Sequence, residues 1–337
     1  EITRHEVEYQ DGFIIKRHFT NNFLTPKSDI LGIYGLTYKL DKDGLIISEY
    51  YLDQARKTLS HKNSVASIHY VIEALTGHTQ KISYENNQNE LILGEKGYAK
   101  KIFTYDAHGN ITEKAYFGVD GQPVLNNAGA AKVTHAYDER GNITETTTFG
   151  INDQLVMNKS GVIKHTYSHD ERGNITETAF FGADGKLVMS KEGYGKFTQN
   201  YDAHRNITEV AYFDVNGKPV LSKEGYAKGT LTYDEFGNII EAILFGVNGK
   251  PVLSKEGYAK GTLTYDEFGN IIEAILYGVN GKPVLSKEGY AKGTLTYDER
   301  GNITETAFFG VDGKPVLSKE GYAKGTLTYD ERGNITE

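Results

Sequence analysis

The sequence predicts an all-β fold: an elongated tandem-repeat array of β-hairpins with a 32-residue period, either a superhelical β-ribbon or β-solenoid-like. Three observations predict it. A Tyr-Asp pair returns at constant spacing at Tyr105-Asp106, Tyr137-Asp138, Tyr201-Asp202, Tyr233-Asp234, Tyr265-Asp266, Tyr297-Asp298 and Tyr329-Asp330, with His169 before Asp170 in the one altered slot. Glycine keeps the same step at Gly97, Gly129, Gly161, Gly193, Gly225, Gly257, Gly289 and Gly321. The 38 Gly against 6 Pro indicate many tight turns rather than a collagen-like or Pro-rich chain. A fixed period of this size is the signature of repeat architecture.

The pattern divides the chain in two. Residues 1–96 are diverged N-terminal repeats that read as a cap. Regular repeats follow over 97–337, at 97–128, 129–160, 161–192, 193–224, 225–256, 257–288, 289–320 and a partial 321–337. In the diverged part Gly77, Tyr84, Asn89, Ile92 and Leu93 occupy the slots of Gly109, Tyr116, Gly121, Val124 and Leu125. Residues 32–64 fit with one extra residue, and Asp11-Gly12 aligns with Asp43-Gly44. Terminal repeats of solenoids are atypical because they close an open core, which accounts for the gradient. Repeats 225–256 and 257–288 differ only at Phe245 against Tyr277, which implies recent duplication and tolerance of copy number. The end at Glu337 falls inside a repeat, so the array is expected to continue past it.

Repeat 289–320 gives the elements in order. Residues 290–297 alternate small or polar with larger side chains and carry β-branched Thr294 and Thr296, so they read as a strand. The turn is Asp298-Glu299-Arg300-Gly301-Asn302, its Asp capping backbone amides and its Gly supplying a positive φ. Residues 303–309 read as a second strand, and Asp312-Gly313 carries a hairpin signal. Pro315-Val316-Leu317 reads as a short third strand, and residues 318–321 turn into the next repeat. No repeat has room for a helix with an apolar stripe. Hairpins side by side would add roughly 10–15 Å per repeat at ~4.8 Å per strand, whereas one solenoid coil would add only about 5 Å. Two hairpin turns per repeat favour the first, with sheet twist winding the ribbon.

The string Tyr-Asp-Glu-Arg-Gly-Asn-Ile-Thr-Glu at 297–305 resembles the tyrosine-aspartate (YD) repeat of Rhs-type bacterial proteins and teneurins. The resemblance covers the turn and its flanks, about a third of each regular repeat. It implies a β-sheet that spirals around a cavity, as in the shell of a Rhs-like toxin. The family commonly has Arg where this chain has Asn302, and its repeat is typically shorter. A weaker likeness, Gly-Tyr-Ala-Lys-Gly-Thr-Leu-Thr-Tyr at 289–297, is to MORN repeats, which are also hairpin ladders.

Composition excludes several classes. Hydrophobic residues at 38% and charged residues at 24% argue against disorder but leave little for one large core. With no Cys there is no disulfide scaffold, thiolate metal site or Cys nucleophile. The formal net charge of −8 gives no basic footprint for nucleic acid. No apolar run approaches the ~18 residues of a membrane span. The His residues hold no constant slot and form no His-Glu-x-x-His motif, and no Gly-x-Gly-x-x-Gly or serine elbow appears. Catalytic, cofactor and metal residues are therefore expected to be absent, and the chain reads as a non-enzyme.

The repeated side chains have structural explanations. The turn aspartates offer too few oxygens at calcium-loop spacing, so capping is their expected role. Each regular repeat carries Lys in its first strand (Lys228, Lys260, Lys292) and Glu in its second (Glu209, Glu241, Glu273), expected to form a cross-strand or between-repeat ladder that sets register. The 24 Tyr and 15 Phe serve as core and cross-strand pairs, with a share left for binding.

One anomaly stands out. The alternate face of the second strand is apolar at Ile240, Ala242 and Leu244 and at Ile272, Ala274 and Leu276, where the next repeat has Thr304, Thr306 and Phe308. Phe236 and Phe268 stand where that repeat has Arg300. Phe236, Ile240, Leu244, Phe268, Ile272 and Leu276 are thus the candidate self-association patch. The expected function is an extracellular, cell-surface structural protein, a bacterial rod or filament subunit, with a start at Glu1 compatible with leader removal. The alternatives are a multivalent module for cell-surface glycan or cell wall, and a shell segment of a Rhs-like toxin.

Overall fold

The structure, a computed structural model, describes residues 4–21, 25–29, 32–59, 65–330 and 333–336. Glu1 and Glu337, on which the expectations of leader removal and of a continuing array rest, lie outside the described residues. Among the described residues there are 21 strands and no helix. The chain divides into two compact bodies, Glu1–Lys159 and Ser160–Glu337. The diverged repeats and the first regular ones share the N-terminal body.

In the N-terminal body the strands are Arg4–Gln10 and Phe13–Thr20, Gly35–Leu40 and Ile46–Leu52, Ser67–Ile72 and Thr79–Glu85, Lys100–Tyr105 and Ile111–Phe117, and Lys132–Tyr137 and Ile143–Phe149. The C-terminal body continues with Lys164–His169 and Ile175–Phe181, and repeats the pair up to Lys292–Tyr297 and Ile303–Phe309, ending at Lys324–Thr326. Within each body every strand pairs antiparallel with its neighbour in sequence. A repeat is therefore a hairpin added to the edge of an open sheet. The alternative of one solenoid coil per repeat does not form, because stacked coils would pair parallel.

The strand alternation breaks at one point in every regular hairpin. Thr232 faces Glu241 but Tyr233 faces Ile239, so Ile240 is the extra residue of a β-bulge. The same shift recurs at Thr264/Tyr265 and Thr296/Tyr297. Strict period two, assumed for Ile240-Ala242-Leu244, therefore does not hold through Ile240.

Two expectations about strand extent need correction. The first strand begins at Lys292, not at Tyr290. The expected third strand is a single bridge between Phe309 and Pro315. Tight turns at Gly310 and Ser318 flank it and leave no length for a ladder, and Pro315 has no N–H to extend one.

All three turns of a repeat share one geometry. Asp298, Gly310 and Ser318 each donate N–H to the carbonyl four residues on, at 2.9, 2.8 and 3.0 Å. Each accepts from the amide three residues on, and that residue is Gly301, Gly313 or Gly321 with φ of 81°, 74° or 89°. Arg205, at φ 70°, stands in a slot that is glycine in the neighbouring repeats, at Gly173 and Gly237.

The buried residues are mostly small, with Leu52, Tyr98, Ile163 and Phe180 among the larger ones. Ala227, Ala259 and Ala291, each following the Tyr of Gly-Tyr-Ala-Lys, are almost wholly covered, and larger apolar strand residues are mostly half-buried. Aromatic rings supply further packing along one face. Tyr194 and Tyr212 lie 4.6 Å apart and Tyr290 and Phe308 the same, each continuing to the next repeat's Tyr226 or Tyr322. Tyr84, Tyr98 and Tyr116 form the equivalent ladder in the N-terminal body.

Candidate functional site

The feature that recurs most faithfully is the junction between repeats. Its backbone part is a three-residue ladder, as where Glu241, Ala242 and Ile243 face Thr262, Gly261 and Lys260. Beside it, the Tyr of each Tyr-Asp pair donates its hydroxyl to the carbonyl that opens the preceding repeat's second strand. Tyr233 reaches Ile207 at 2.7 Å, Tyr265 reaches Ile239 at 2.8 Å and Tyr297 reaches Ile271 at 2.9 Å. Burial pushes the Tyr265 phenol upward, with the Asp234 carboxylate adding to it.

The Lys–Glu ladder forms, and it runs between repeats. Lys196 meets Glu177 at 2.7 Å, Lys228 meets Glu209 at 2.9 Å, and Lys260 and Lys292 pair with Glu241 and Glu273. Each ammonium also stands over its own hairpin's aromatic ring, as Lys228 over Phe245 at 5.2 Å and Lys292 over Phe309 at 5.7 Å. The lysine thus bridges the Glu of one hairpin to the ring of the next, as Lys228 does between Glu209 and Phe245. At about a third exposed, each ion pair contributes little stability but fixes which residues meet. The third turns stack too, with Lys255 N–H donating to Glu224 and Lys287 N–H to Glu256, both at 2.9 Å.

The turn aspartates cap, as their spacing implied. Asp234 Oδ1 accepts from the amides of Phe236 and Asn238 at 2.9 and 2.8 Å, and its Oδ2 accepts from Asn238 Nδ2 at 3.0 Å. These bonds, the side-chain one foremost, hold the Asp234 carboxyl below its ordinary range. Among the described residues no group of three or more His, Asp or Glu side chains converges as metal ligands.

The six candidate patch residues occupy three environments. Phe236 and Phe268 project from successive turns, each 82% exposed. Ile240 joins both in lining an open groove of about 440 Å³ together with Leu263 and Tyr265. Ile272 is half-buried at the equivalent bulge of the next repeat. Leu244 and Leu276 belong elsewhere: they fill the slot that Tyr212 and Phe308 take in the aromatic ladder, and are half-buried there. The corresponding groove of the N-terminal body, about 550 Å³, is polar, with His108, His135 and Arg140 in its lining.

This chain is a tandem β-hairpin repeat protein. No family model matches it, and no curated protein matches it. Among solved structures, the crystal structure of TcdB2-TccC3 aligns over 98% of this chain and 17% of its own at 14% identity, with a TM-score of 0.43. The Photorhabdus luminescens Tc holotoxin pore aligns over 98% and 18% at 14% identity, with a TM-score of 0.37. A porin-like protein from Bacteroides uniformis aligns over 71% and 86% at 12% identity, with a TM-score of 0.25. The chain spans less than a fifth of the Tc chains it aligns with.

Sequence reading missed the Tyr hydroxyl bond. The constant 26-residue offset from Tyr to its carbonyl was present as the spacing of Tyr265 from Ile239, but nothing local marks a backbone acceptor. The bulge is the second omission. Its signal is the chemical pairing of Thr304 with Thr296, whose hydroxyls lie 2.9 Å apart.

Proposed function

We propose that this chain is a non-enzymatic structural repeat protein, a subunit of an extracellular bacterial rod or filament displayed at the cell surface. One observation carries the reading: successive junctions within the C-terminal body use the same ladder, Tyr hydroxyl bond, ion pair and turn stack. Each copy brings both halves of that junction, so array length changes without altering any repeat. Phe236 and Phe268 supply a lateral contact for a second copy, since adjacent exposed rings in an otherwise polar turn region favour burial against a partner. A contact between unlike surfaces propagates unless its rotation closes.

The test compares wild type with Phe236→Arg/Phe268→Arg, which borrows its residue from Arg300 and so spares the turn. Leu244 and Leu276 are left alone because they belong to the ladder. Light scattering and electron microscopy of wild type are expected to give assemblies that grow with concentration. The double variant is expected to weaken association at least about tenfold. A wild type that stays monomeric up to its solubility limit overturns the assembly reading, and unchanged assemblies in the variant remove the aromatic pair from it.

A further inference from the structure

Around the repeat 97–128 the lysines are redistributed: Gln122 and Asn127 stand where a later repeat has Lys250 and Lys255, while lysines enter at three other slots. Lys96 stands where Glu192, Glu224, Glu256, Glu288 and Glu320 stand in later repeats. Lys101 takes the slot of Gly229, Gly261 and Gly293, and Lys114 that of Ala242 and Ala274. In a chain with a net charge of −8, these changes make a local basic cluster.

Structure gives the cluster a shape. Lys96, Tyr98, Lys101, Tyr116, Asn127 and Lys159 line an open groove of about 480 Å³, within the size range of small-molecule sites. The rings of Tyr98 and Tyr116 lie 4.9 Å apart, tilted by 45°. Lys101 is half-buried, with Nζ 4.4 Å from the Phe103 ring centroid and 6.0 Å from that of Tyr116. Burial, with Lys114 and Lys96 nearby, pushes its ammonium below the ordinary lysine range. Among the described residues none of Lys96, Lys101, Lys114 and Lys159 forms an ion pair, whereas the ladder lysines Lys132, Lys196 and Lys228 do.

A half-buried ammonium without a counter-charge is costly, and an anion in the groove would offset that cost. A small inorganic anion would leave the tyrosine rings uncovered. A neutral sugar would cover them and leave the lysines unpaired. A sugar ring carrying an acidic group satisfies both, its apolar face against Tyr98 or Tyr116 and its charge against Lys101 and Lys96. We propose that this groove binds an acidic saccharide unit, a sugar ring bearing a carboxylate or a sulfate.

Calorimetric titration of the full chain tests this with four probes: trigalacturonate, a sulfated lactose, neutral maltotriose and sodium sulfate. At least one acidic saccharide is expected to bind with salt-sensitive affinity, and which one binds separates carboxylate from sulfate. Lys96→Glu/Lys101→Val restores residues that other repeats carry at Glu192 and Val133, and is expected to weaken binding at least about tenfold with circular dichroism unchanged. Should that variant fail to fold, Lys101→Met keeps the apolar stem and removes the charge, with the same loss expected. The proposal is overturned by absence of binding to both acidic saccharides, by equal affinity for maltotriose, by sodium sulfate binding as tightly as the saccharides, or by full affinity in a folded variant.

Discussion

The Tyr-Asp pair places two different tasks on adjacent residues. Asp266 turns inward on its own repeat, capping the amides of Phe268 and Asn270 at 2.9 and 2.8 Å. Tyr265 reaches back to the preceding repeat and satisfies the Ile239 carbonyl at 2.8 Å. That carbonyl opens the second strand beside the bulge, where the hairpin's own ladder is interrupted. Tyr265→Phe keeps the ring and removes only this bond, so it is expected to destabilise the fold by about 1 kcal/mol. Denaturant unfolding of the variant checks it, and an unchanged midpoint would make the hydroxyl incidental. The repetition of Tyr265 was legible from spacing alone. Its partner was not, because the acceptor is a main-chain oxygen that only strand stacking brings near.

At the scale of elements, the turns are the most uniform part of the molecule, and their chemistry sets an acid limit. Asn270 donates its side-chain amide to Asp266, and with the backbone amides it holds that carboxyl below its ordinary value; Asp234 and Asp298 behave alike with Asn238 and Asn302. A carboxyl whose folded value lies below its unfolded value stabilises the fold above the unfolded value, about 3.9. That stabilisation is lost as pH falls through the lowered folded value. Stability from these groups is therefore expected to be flat from neutral pH down to about 5 and to decline below about 4. Asp234→Asn/Asp266→Asn/Asp298→Asn should lower stability near neutral pH and flatten the acid limb. Thermal unfolding across pH reads both, and a variant with an equally steep acid limb would place the sensitivity elsewhere. Asparagine already serves at the first position of such turns, where Asn86 Oδ1 accepts from Gln88 and Glu90. The first main strand was readable from β-branched alternation at Thr294 and Thr296. The third was misread because Pro315-Val316-Leu317 looks extended by composition, while the turns on either side limit it to one bridge.

At the scale of the whole molecule, stability is expected to follow a nearest-neighbour rule, since each repeat's contacts run to its own hairpin and to adjacent repeats. Low apolar content pointed to this: many of the best-covered positions are alanines such as Ala259 and Ala291, and most remaining burial is shared half by half between neighbouring hairpins. No position gathers the fold around itself. Repeats 225–256 and 257–288 make the test clean, because in-frame removal of the first joins Glu224 to Gly257, a Glu-Gly step like the native Glu224-Gly225. The Tyr hydroxyl, Lys–Glu and turn-stack contacts are then re-formed by the next copy, with Tyr265 meeting Ile207 in place of Tyr233. Circular dichroism per residue should be unchanged. Removing 225–256 alone, and then 225–288, should lower the unfolding free energy in two steps equal to within about 0.5 kcal/mol. A single collapse at either deletion would mean that distant repeats share a closed core, and the nearest-neighbour account would fail with it.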